Sequence, residues 1–114
     1  MGSKEDMEQR IAKVREICIR ALDAARKSGR DICEGVYLDS RECCLIGALA
    51  LQEGYTRVDP IAHRGLAAKL QVTTTQLDDL ESGFCLMGSV QRQGEFGALG
   101  RQLREYAEPV IRCV

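Results

Sequence analysis

Cys43-Cys44-Leu45-Ile46-Gly47-Ala48-Leu49-Ala50-Leu51 is the run of sequence on which the fold turns. It carries no charge and is about half as long as the roughly 18 apolar residues that a membrane-crossing helix needs. The spacing predicts a helix from Arg41 to Glu53, with Asp39 or Ser40 as its N-cap and Gly54 as its stop. A helix that is apolar nearly all the way round belongs in the middle of a bundle. The elements on either side should therefore be helices that pack around it.

Upstream, residues 4–28 read as one long amphipathic helix. Met7, Ile11, Val14, Cys18, Ala21, Leu22 and Ala25 recur at the three- and four-residue steps that make a single stripe. Ser28-Gly29 ends it, with Arg26 and Lys27 placed favourably against the helix dipole. Between the two helices, Ile32, Val36, Tyr37 and Leu38 suit a short extended piece or a loop over the core.

Downstream, Asp59-Pro60 opens a third helix as N-cap and first helical residue, running through Ile61, Leu66, Ala67 and Leu70. Gln71-Val72 makes a turn, and Thr73 with Gln76 forms a capping-box pattern for a fourth helix that carries Leu77 and Leu80 and ends at Gly83. Residues 84–94 read as a loop or short helical turn. A last helix from about Glu95 to Val110 has a stripe of Phe96, Leu99, Leu103, Tyr106, Ala107 and Val110, with Gly97 and Gly100 suited to close packing. The expected fold is all-α: one domain, residues 1–114, a compact bundle of about five helices with a long N-terminal helix and a central apolar helix.

Charge narrows the function. The net charge is −1, and the basic residues gather at the ends: residues 1–30 carry eight Lys/Arg against five Asp/Glu, whereas residues 31–58 carry two against five. Nucleic-acid binding needs a clustered basic face, and this distribution does not supply one. The opening Met1-Gly2-Ser3-Lys4-Glu5-Asp6 is charged and does not read as a secretory leader. With no leader and a core large enough to stand alone, the six cysteines (Cys18, Cys33, Cys43, Cys44, Cys85, Cys113) read as buried thiols in a reducing cytosol. Zinc would need a C-x-x-C pair or several histidines, and His63 is the only histidine. No metal, cofactor or membrane attachment is expected.

Residues 66–83, Leu66-Ala67-Ala68-Lys69-Leu70-Gln71-Val72-Thr73-Thr74-Thr75-Gln76-Leu77-Asp78-Asp79-Leu80-Glu81-Ser82-Gly83, resemble the helix-turn-helix of Cro/repressor-type proteins. The similarity lies in the L-A-x-x-L-x-V-T opening, the two later leucines and the E-x-G ending. Gln71 occupies the turn position where that family usually has glycine, and it must then take a less comfortable backbone or a different turn. The would-be recognition helix carries Asp78, Asp79 and Glu81 with no Lys or Arg, so it would repel phosphate. A second resemblance, to small bacterial and phage-borne helical proteins, rests on the C-x-x-G-A-L helix at Cys44–Leu49, on Glu81-Ser82-Gly83-Phe84 and on the F-x-x-L-G-x-x-L helix at Phe96–Leu103. It implies a compact helical fold of accessory-gene type and no site residues.

Catalysis finds little support. A Cys44–His63 or Cys85–His63 dyad is the sole conceivable nucleophile–base pair, and a histidine at the edge of a core is the plainer reading. Asp78 and Asp79 diverge by about 100° on a helix, too far to share a cation. The expectation is a non-enzymatic protein that works by macromolecular interaction, of accessory or phage-regulator type. Asp78, Asp79, Glu81 and Phe84 would meet a basic protein partner. The first alternative is a DNA-binding regulator using Lys13, Arg20 and Lys27 or Arg101 and Arg104; the second is a small-molecule binder with a pocket lined by Cys44, Leu45, Leu80 and Cys85. A homodimer built on the apolar second helix is a further expectation.

Overall fold

The computed structural model describes residues 3–33, 38–86 and 90–109. Five helices follow in order: α1 (Ser3–Lys27), α2 (Leu45–Gln52), α3 (Pro60–Leu70), α4 (Thr74–Phe84) and α5 (Val90–Ala107). Two strands of two residues each, β1 (Asp31–Ile32) and β2 (Glu42–Cys43), pair in parallel between α1 and α2. The helical bundle is the one expected; the small ladder is not. Val36, Tyr37, Val110 and Cys113 lie outside the described residues.

The α1 stripe is buried as its periodicity predicts: Val14, Cys18, Ala21, Leu22 and Ala25 all face the core. Six of the eight residues of α2 are buried, from Leu45 through Ala50. The apolar surface of that helix is therefore consumed within the chain, and the argument that it forms a dimer core loses its basis. Among the described residues, no helix is long and apolar enough to cross a membrane.

Helix α2 starts four residues later than expected. Asp39 does act as a capping acceptor, taking the N–H groups of Arg41 at 2.7 Å and Glu42 at 2.8 Å. The turn it closes leads into β2 rather than a helix, and Cys44 is the N-cap, its Sγ accepting from Gly47 N–H at 3.2 Å. Two further expectations change. Ile61 is 68% exposed, because the buried stripe of α3 runs through Ala62, Leu66, Ala67 and Leu70. Gly83 does not end α4; it lies inside the helix, which continues to Phe84 and is capped at Cys85.

Among the described residues, helices α4 and α5 approach each other backbone to backbone. A Cβ placed on Gly83 would overlap the carbonyl of Gly97, and one on Gly100 would overlap the Leu80 carbonyl and the Phe84 amide. Helix α5 breaks at Gly94 (φ 62°, ψ −146°), so its main segment begins at Glu95, where the stripe of Phe96, Leu99, Leu103 and Ala107 also begins. Arg104 Nη1 donates to the Phe84 carbonyl at 2.9 Å, and the Tyr106 hydroxyl donates to Asp23 at 2.9 Å, tying α5 to α4 and to α1.

Candidate functional site

The α3–turn–α4 unit is built by local signals. Asp59 caps α3, its Oδ1 accepting from Ala62 N–H at 2.8 Å, with Pro60 as the first helical residue. That hydrogen bond, together with Arg57 at 3.2 Å, holds the Asp59 carboxyl below the usual aspartate range. At the other end, Gln71 adopts the left-handed conformation (φ 59°, ψ 42°). Val72 N–H returns to Ala67 O at 3.0 Å and Gln71 N–H to Ala68 O at 3.1 Å, which is a Schellman closure. A non-glycine residue in that region costs roughly 1 kcal/mol, so the turn is held by its surroundings rather than by preference. The Thr73 hydroxyl then accepts from Gln76 N–H at 3.0 Å while Gln76 Oε1 accepts from Thr73 N–H at 2.9 Å, completing the capping box and starting α4.

This construction turns Thr74, Thr75 and Asp78 to solvent and leaves Asp79 and Glu81 half-buried. Asp78 reaches back to α3, where its Oδ1 lies 2.9 Å from His63 Nε2. The contact is close, but the imidazole nitrogen finds no aligned hydrogen-bond acceptor, so the two groups touch without a hydrogen bond. Asp59, His63, Arg64, Thr74 and Asp78 together line a shallow depression between the two helices. The His63–Asp78 approach was missed in the sequence because the residues stand fifteen apart and only the crossing of α3 and α4 brings them together.

Glu81 is the most perturbed acid in the unit. Its carboxyl is pushed up from an ordinary 4.5 to about 7, first by burial and then by the like charge of Asp78 one turn earlier. The unfolded chain gives up this proton near pH 4.5 and the folded chain near 7. The group's stabilising contribution is therefore complete below about pH 4.5, falls as the pH rises to about 7, and stays low above that. Because the carboxyl is only half-buried, solvent screening leaves an effect of roughly 1 to 2 kcal/mol. Glu81→Gln should raise stability by that amount at pH 8 and leave it unchanged at pH 4, as read from urea melts at both values. Equal effects at the two pH values would show that burial does not set this carboxyl's charge.

The remaining expected positions lie elsewhere. Phe84 is fully buried, so it is a core residue and not part of an exposed contact. Cys44, Leu45 and Leu80 are at most 1% exposed and Cys85 is 7% exposed; all four belong to the packed core, and a ligand there would have to displace side chains. Of the cations named for DNA contact, Arg104 is engaged with the Phe84 carbonyl and Arg20 with Glu16, whereas Lys13 and Lys27 are exposed on α1. Among the described residues, no set of three or more His, Cys, Asp or Glu side chains gathers as a metal cluster would. Comparison with protein-family models, with curated proteins and with solved structures finds no match to this chain.

Proposed function

We propose that this chain is a non-enzymatic binding protein, an accessory regulator in kind, whose α4 helix meets a basic segment of a partner protein. The observation that carries the reading is the charge of α4 in its setting. From Thr74 to Phe84 the helix holds Asp78 and Asp79, beside a Glu81 that is only partly ionised near neutral pH, with no Lys or Arg, and Asp78 presents 66% of its side chain to solvent. An acidic strip of this kind draws basic partners and rejects phosphate backbones. Charged rim contacts act mainly on association rate and specificity, so the expected affinity is modest and salt-sensitive.

A lysine- and arginine-rich peptide titrated into the protein at low and high salt is the direct test. Asp78→Lys combined with Asp79→Lys should weaken binding at least tenfold at low salt and remove most of the salt dependence. Peptide affinity that the double variant leaves unchanged would refute the reading.

Duplex DNA is the second reading, and one feature favours it: the left-handed Gln71 and the Thr73 capping box make the tight connection that a helix-turn-helix needs. Tight DNA binding that weakens steeply with salt, with Lys13 and Lys27 required, would replace the first reading with this one.

A further inference from the structure

The ladder between β1 and β2 runs directly into two cysteines, Cys33 after β1 and Cys44 after β2. Its register pairs Asp31 with Glu42 and Ile32 with Cys43, and its last hydrogen bond runs from Cys33 N–H to Cys43 O at 2.9 Å. Continued by one further step in the same parallel register, Cys33 would stand level with Cys44, which is still extended (φ −87°, ψ −175°) before α2 begins. Neighbouring strands lie about 4.8 Å apart, and residues level with each other project to the same side. Disulfides join Cα atoms about 4.4 to 6.8 Å apart, and a pair standing level across such a ladder falls within that range.

We propose that Cys33 and Cys44 are a thiol pair that closes to a reversible intrachain disulfide by exchange with a small-molecule disulfide such as oxidised glutathione.

The environments of this pair differ from those of Cys43 and Cys18. Cys44 Sγ sits at the N-terminus of α2 and accepts from Gly47 N–H at 3.2 Å, so a donor is already in place where negative charge develops on a reacting sulfur. Cys33, 7% exposed, is the more accessible of the two. Cys43 projects to the opposite side of the ladder with Ile32, and burial pushes its thiol up to about 11. Cys18, within α1, is pushed up to about 12 by the same cause. Those two thiols are poor nucleophiles at neutral pH.

The chemistry balances without a metal or cofactor. The Cys33 thiolate attacks one sulfur of the small disulfide, forming a mixed disulfide and expelling one thiolate. Cys44, as thiolate, then attacks the Cys33 sulfur; the mixed bond breaks and the second small thiolate leaves. Two protein S–H bonds are lost, two small thiols form, and two electrons pass from the protein to the small disulfide. Excess thiol reverses both steps.

Thiol mapping on the full folded chain tests the proposal. The protein is incubated with oxidised glutathione, quenched in acid, unfolded and alkylated, then digested with trypsin. Cys33 falls in the peptide Asp31–Arg41 and Cys44 in Glu42–Arg57, where fragmentation separates Cys44 from Cys43. The expected product is one disulfide joining Cys33 to Cys44, removed by dithiothreitol, with the other four cysteines of the six alkylated. Cys44→Ser keeps a good N-cap oxygen and should fold, yet it should lower the cross-linked product more than tenfold and leave a glutathione adduct on Cys33. Alkylation of all six thiols, or a bond to Cys43 or Cys113 instead, would overturn the proposal. The wild-type map decides the matter even if a variant folds poorly.

Discussion

Gly83→Ala is expected to cost about 3 kcal/mol of folding stability, the upper range for forcing a methyl group into a filled interface. The sign is informative, because an alanine in the middle of a helix ordinarily gains up to about 1 kcal/mol over glycine. Gly83 lies within α4, and its backbone is not in the left-handed region, so relief of glycine's chain entropy should favour the substitution. What opposes it is the Gly97 carbonyl of α5, which the new methyl would overlap. That atom is backbone, and it can yield only if two helices separate. The same crossing places Gly100 against the Leu80 carbonyl and the Phe84 amide, so Gly100→Ala should behave likewise. Gly65 makes a control: a methyl there meets only the phenol end of Tyr55, a side chain that can rotate away, and the cost should stay under about 1 kcal/mol. Urea unfolding of the three variants reads the result. A stabilised Gly83→Ala would mean that α4 and α5 do not approach backbone to backbone, and the packing described above would be wrong.

Gly83 also shows where reading the chain reaches its limit. A glycine after Leu77 and Leu80 satisfies the rule for a helix stop, and the same residue satisfies the rule for a close helix crossing. Only the position of a second helix decides between them, and no local signal holds that information. Where the deciding interactions are local, the chain was legible: Asp59-Pro60, the Thr73–Gln76 box and the apolar stripe of α1 all appear where their spacing places them. The start of α2 was missed for a related reason. Asp39 is a true capping residue, but a capped turn can lead into a strand as well as a helix, and Glu42-Cys43 pairs with β1. The acidic character of the candidate surface was plain from composition alone. Its contact with His63 was not, since that depends on how two helices cross.

Phe84→Ala should be among the most damaging single changes in the chain, at about 3 to 5 kcal/mol, the usual range for deleting a buried aromatic ring. For a domain whose total stability is of order 5 to 15 kcal/mol, that corresponds to a fall in melting temperature of roughly 15 °C or more. The sequence alone puts Phe84 on a contact surface with Asp78, Asp79 and Glu81, the structure puts it in the core, and the two placements predict different experiments. A surface ring would be lost with little change in stability and a marked loss of partner affinity. A core ring does the reverse. The periodicity already leans to the second, because Leu77, Leu80 and Phe84 fall at three- and four-residue steps on one side of α4, and all three are at most 1% exposed. The ring is part of the buried core, and the backbone carbonyl of the same residue accepts from Arg104 Nη1 at 2.9 Å. Phe84→Leu keeps most of the volume and should cost less than about 1.5 kcal/mol. That variant, folded, should bind the basic peptide as the parent chain does. If Phe84→Leu folds normally but loses the peptide, the ring takes part in recognition after all, and the acidic strip alone does not define the surface.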